Sequence, residues 1–332
     1  MASSASDVCV KLDDRVRLMS AVLAVTRYPE KAQARKPHGT HAHARMTRKQ
    51  LARFGDHEAV KMLQNLIDQG APLEAIYTLA LVLRFPEGKV EKPPRWMPPH
   101  WDEQLNQFYA ASDLATWWKS EDAVWQKALG DSQRMFANVN FKPFLQPYLG
   151  EIKEELVFIP NISYPTDQEL GLRLGADLVC IVPPRLAWGD SPPWPYDEDP
   201  AYVYRSALTQ FGRMLMMAYL RAHAEQIAEI AQTPLPVTDQ YKSLYPTWVD
   251  QFANLFVAGA VAIYLEDHVS KAEASSYVLM ERKVHGLEVL PGVISVFRRY
   301  VKELENGRYK TLLDLLPNFG KQLRIANRIV SL

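Results

Sequence analysis

The stretch Thr209-Gln210-Phe211-Gly212-Arg213 decides the reading of this chain, because it lies inside a long helical run over residues 201–231. Downstream the pattern stays helical, with helices expected over 246–268, 270–285, 289–305 and 309–329. Pro234, Pro236, Pro246, Gly286 and Pro291 separate them. Upstream the pattern is mixed. Residues 8–12 alternate enough for a short strand, and Asp13 or Asp14 can cap a helix that aligns Leu18, Val22 and Val25 on one face. Helices are expected over 47–54, 57–69 and 73–83, divided by Gly70 at a C-cap position and Pro72 near a first turn. Residues 86–99, rich in proline and charge, read as an extended connector before a helical region that carries Trp101, Trp117, Trp118 and Trp125. Strands are expected over 156–159 and 177–182, the second stopped by Pro183-Pro184. Residues 188–200 hold four prolines and read as a surface loop. The fold expected is α+β and predominantly helical, in two lobes. Residues 1–200 form a mixed lobe with a small sheet, and residues 201–332 form an all-helical one.

Bulk properties exclude several function classes. Lys+Arg and Asp+Glu both number 38, so no global field draws in nucleic acid or anionic lipid. Apolar residues at 48% and charged residues at 23% are ordinary for a globular protein. The two cysteines, Cys9 and Cys180, sit in short apolar runs. They read as buried free thiols in a reducing compartment rather than as a disulfide framework. Residues 1–14 lack the apolar segment of a signal peptide, and the longest apolar run, 252–265, is too short to span a bilayer. A cytoplasmic protein with no membrane partner is the expectation.

From residue 201 to the end the chain resembles bacterial gluzincin-like (His-Glu-x-x-His) metallopeptidase-like domains. The likeness is carried by Phe211-Gly212 in the long helix, by Arg282-Lys283-Val284-His285-Gly286, and by Leu312-Leu313-Asp314-Leu315-Leu316-Pro317. A weaker likeness extends to 8–12, 16–25 and 54–60. The resemblance implies a zincin-like two-lobed fold whose substrate cleft lies between the small sheet and the motif helix. It also implies a degenerate active site. A zinc peptidase needs two neutral imidazoles at i and i+4 with a carboxylate base beside the first. Here Thr209 and Arg213 stand at the imidazole positions and Gln210 at the base, while Ala253 falls where the third ligand, a glutamate, would lie. A hydroxyl is a poor zinc ligand, a guanidinium has only donors, and an amide cannot take a proton at neutral pH. The resemblance therefore implies an inactive metallopeptidase-like protein without a cofactor, with a peptide or protein as partner in the former cleft.

Other constellations leave alternatives open. Arg213 can pair across two helices with Asp250, one turn before Ala253, or extend to solvent. His38, His41 and His43 could chelate a metal, with His57 nearby, in a metal-dependent hydrolase whose site lies elsewhere. His57 reads as a helix-start cap, or as a residue lining the former cleft. The window 31–53 has seven Lys/Arg and no acid, but lacks the aromatic residues of a nucleic-acid surface. Trp117 and Trp118 diverge by about 100° on one helix, so only one can face the core while the other lines a groove or a contact. A helical interaction module is the remaining reading.

Overall fold

The computed structural model describes residues 6–33, 42–85, 89–90, 93–163, 168–185 and 194–330. His38 and His41 lie outside the described residues, as do parts of the connector 86–99 and of the loop 188–200. The chain forms two compact units, residues 1–138 with 156–199, and residues 139–155 with 200–332. Segment 139–155, assigned to the first lobe on sequence, thus belongs with the helical unit.

The first unit is built on a four-stranded sheet of order β1-β2-β4-β3, with β1 Val8–Val10, β2 Glu155–Pro160, β3 Leu170–Leu174 and β4 Asp177–Val182. Strands β1 and β2 are parallel. β3 and β4 form an antiparallel hairpin closed by Gly175-Ala176, with Gly175 at φ +60. A two-residue hairpin turn needs that left-handed conformation, which glycine adopts without strain. Among the described residues eight α-helices complete the unit: α1 Asp14–Ala24, α2 Tyr28–Gln33, α3 Ala42–Leu51, α4 Glu58–Asp68, α5 Leu73–Leu81, α6 Trp101–Ala111, α7 Leu114–Ser120 and α8 Asp122–Phe136. Asp13 caps α1 through the Arg15 N–H, and every residue of α1 from Val16 to Ala24 is buried.

Period-2 alternation covers both faces of the sheet. Val157, Ile159, Leu172, Val179 and Ile181 join the core formed with α1, α4 and α5. On β2's other face Phe158 packs on Phe136 of α8, ring centroids 4.7 Å apart. One set of buried polar groups is satisfied within the core. The Ser20 hydroxyl donates to the Val16 carbonyl at 2.8 Å, so it accepts from both the Tyr77 hydroxyl (2.7 Å) and Asn161 Nδ2 (2.9 Å). Cys180 is buried, and burial pushes its thiol well up, whereas Cys9 is exposed on the edge strand β1. The expectation of two buried thiols fails at Cys9, because an edge strand has a neighbour on only one side.

The second unit is helical: α9 Phe141–Leu149, α10 Pro200–Ala222, α11 Ala224–Ile230, α12 Asp239–Leu244, α13 Trp248–His268, α14 Lys271–His285, α15 Leu290–Glu305 and α16 Leu312–Val330. The run expected over 201–231 breaks at His223, between α10 and α11. Helix α13 is the axis of the unit. It packs on α10, α14 and α15, and every residue from Leu255 to Leu265 is buried. By length and composition α13 could cross a membrane, yet 78% of its most apolar window is buried within the fold, as in the core helix of a globular unit. A Cβ on Gly212 of α10 would rest 3.6 Å from Val257 Cγ2 of α13, an ordinary contact. On Gly259 it would meet Val293 Cγ1 at 2.8 Å and Phe297 Cδ2 at 2.9 Å. Gly259→Ala is therefore expected to lower the unfolding free energy by about 1–3 kcal/mol. Gly212→Ala should be neutral or stabilising by up to about 1 kcal/mol through helix propensity. Urea titration of the two variants checks the contrast, and equal effects would contradict the packing described.

Candidate functional site

Thr209 and Gln210 are half-buried on α10, and Arg213 is exposed. Their helix packs directly on α13, where Ala253 is fully buried. Asp250 does not bridge to Arg213. Its Oδ2 accepts from the Thr247 hydroxyl at 2.6 Å, and its N–H donates to Thr247 Oγ1 at 3.1 Å. Thr247 caps α13, so the first turn of the helix consumes the carboxylate locally. Arg213 instead lies close enough to Tyr245 for its charge to favour the phenolate, although burial raises that phenol overall. Arg205, Thr209 and Arg213 recur every fourth residue, so one stripe of α10 carries two guanidiniums. Such a stripe repels a divalent cation.

His57 is the N-cap of α4. Its Nδ1 accepts the Ala59 N–H at 3.2 Å, and its ring lies edge-on to Phe108 at 5.3 Å. Burial is the first cause of its lowered pKa. His43 is no ligand on a loop, because it sits on α3 and is buried. Among the described residues no group of three or more His, Cys, Asp or Glu is placed to share a metal ion.

His43 belongs instead to a buried cluster that sequence reasoning missed. Arg17 of α1 is held between two indoles, its guanidinium carbon 4.3 Å from the Trp118 ring and 4.4 Å from the Trp125 ring. It donates through Nη1 to Asp14 Oδ1 at 3.0 Å. Glu121, in the turn between α7 and α8, places Oε2 3.5 Å from His43 Nε2. Residue exposures of 8% for Arg17, 5% for His43 and 7% for Glu121 close the cluster to a reactant. Trp118 is the indole turned inward, and Trp117 remains half-exposed. The usable signal was Arg17 itself, a cation flanked by Val16, Leu18 and Met19 in the apolar part of α1.

The charges follow from burial. Desolvation pushes the Glu121 carboxyl up to about 7, with Arg17 and the Trp125 indole pulling the other way. Desolvation, then the Arg17 charge, pushes His43 down to about 4. At intermediate pH the folded pair is a neutral acid beside a neutral imidazole. A carboxyl titrating near neutrality is what general acid–base chemistry uses, but the closure of this cluster makes its role structural.

No protein-family model, curated protein or solved structure matches the chain.

The pair makes a pH prediction. Glu121 has a raised folded pKa, so its contribution to stability is complete below about 4.5 and is lost as pH rises towards 7. His43 has a lowered one, so its contribution is complete above 6.5 and is lost as pH falls towards 4. Between 4.5 and 6.5 the folded and unfolded pairs each hold one proton, and the two slopes cancel. Glu121→Gln should tilt stability upward with pH across this window relative to the unsubstituted protein. His43→Gln should tilt it downward, each by about 1 kcal/mol per pH unit or less. Urea midpoints at pH 4.5, 5.5 and 6.5 check this, and tilts of the same sign would contradict the neutral pair.

Proposed function

We propose that the protein is a zincin-like, non-hydrolytic relative of gluzincin metallopeptidases, acting in the cytoplasm as a binding or structural protein through the face that carries residues 209–213. The observation that supports this reading best is chemical. The i and i+4 positions of the motif hold Thr209 and the exposed cation Arg213, while Gln210 and the buried Ala253 supply neither base nor third ligand. A metal ligated from two helices would crosslink them. Here α10 and α13 are held by close apolar contact at Gly212 and Val257. The stripe that includes Arg205 and Arg213 suits an acidic or carboxylate-bearing peptide segment better than a metal-bound water.

Restoring the motif tests the reading. The protein itself is expected to purify without stoichiometric zinc and to leave a casein-type substrate intact. A Thr209→His, Gln210→Glu, Arg213→His, Ala253→Glu variant is expected to take up one zinc per chain. The Thr209→His, Arg213→His double variant leaves the buried Ala253 alone, and should bind zinc more weakly but measurably by isothermal titration. Zinc in the unsubstituted protein, or folded variants blind to zinc, would remove the peptidase-like geometry.

A further inference from the structure

The second unit holds a cavity of about 440 Å³, a volume typical of small-molecule sites and independent of the 209–213 face. One wall is rigid. Pro143 and Pro147 lie one turn apart on α9, so their rings share a face, and Leu304 of α15 adds to it. Pyrrolidine rings have no rotamer freedom to lose when a flat apolar body settles on them, which makes the wall preorganised. Gly150 turns the chain out at the cavity edge with φ +74 and ψ −154, a conformation that is essentially glycine's alone.

The rest of the lining includes polar groups and one cation. Lys310 and His223 belong to it, with the Thr311 hydroxyl between α15 and α16. His223 Nδ1 lies 2.9 Å from the Tyr219 carbonyl oxygen, which can only accept, so Nδ1 carries a proton and Nε2 is left for another partner. The imidazole rests against the Tyr219 ring at 4.5 Å, which fixes its orientation. Lys310 makes no side-chain ion pair within 4 Å among the described residues. The nearest carboxylate, Asp314, accepts the backbone N–H groups of Lys310 (2.7 Å) and Thr311 (3.0 Å) and does not line the cavity. No carboxylate is among the lining residues.

We propose that this cavity is a binding site for a small monocarboxylate with a flat apolar or aromatic body. The carboxylate is held by Lys310 beside the His223 imidazole, and the body lies against Pro143 and Pro147. A phosphate fits less well. Among the described residues the lining has no arginine fork, and the amides of Lys310 and Thr311 at the start of α16 are already taken by the Asp314 carboxylate. One ammonium beside one imidazole matches a single negative charge.

Benzoate and its neutral isostere benzamide are the probes, titrated into the full chain by calorimetry and by NMR of the His223 ring. Benzoate is expected to bind at least about tenfold more tightly than benzamide. Lys310→Met and His223→Gln should each weaken benzoate about tenfold, while Lys310→Arg retains it and Lys283→Met changes nothing. Thermal melts should match the unsubstituted protein, because Lys310 is exposed and unpaired. Benzamide binding as well as benzoate, benzoate insensitive to both substitutions, or inorganic phosphate displacing it at lower concentration would each overturn the assignment. So would the absence of any benzoate binding at tens of millimolar.

Discussion

The close approach of α10 to α13 is the contact on which the second unit depends. A helix as apolar as α13 can stay in a globular unit only if its whole circumference is covered, and α10, α14 and α15 provide that cover. A residue without a side chain is required where α13 meets α15, because Gly259 leaves the room that Val293 and Phe297 occupy. At the α10 crossing Gly212 has space for a methyl group 3.6 Å from Val257. Dispersion and desolvation over such an area hold the helices together.

The first unit settles a different problem. Burying Arg17 is unfavourable unless its charge finds compensation. Asp14 supplies a counter-charge, and the faces of Trp118 and Trp125 supply the quadrupole attraction that a cation finds over an indole. Glu121 and His43, adjacent and buried, avoid a second desolvated ion pair by remaining neutral together. The tryptophans thus line the pocket of an internal cation. Trp117, half-exposed, packs at the edge of the same core, so the expectation that one of the pair would turn away from it is not met.

The legible part of the fold was the part written in local signals. The Asp13 cap, the Pro183-Pro184 stop and Gly286 at the end of α14 mark element ends by their own chemistry, and α13 through α16 follow the expected spacing closely. Strand β3 escaped notice because Leu-Gly-Leu-Arg-Leu has few β-branched residues, and its pairing with β4 is a tertiary fact. The break at His223 carries neither proline nor glycine, so no local rule announces it. Site residues were less legible still. Asp250 reads as an ion-pair partner until Thr247 is seen capping the same turn. The assembly of Arg17, His43 and Glu121 depends on three elements separated by long stretches of chain, as does the cavity between α9 and Lys310. Composition and spacing cannot report such convergence.

Native-state hydrogen exchange on the intact chain, with and without a strong chelator, tests the central claim most directly. If direct packing of α10 on α13 holds the unit, amides around Phe211–Gly212 and Val257–Gly259 should be among its slowest to exchange. The chelator should leave them unchanged. Fast exchange across that crossing, or protection lost on chelation, would contradict the account.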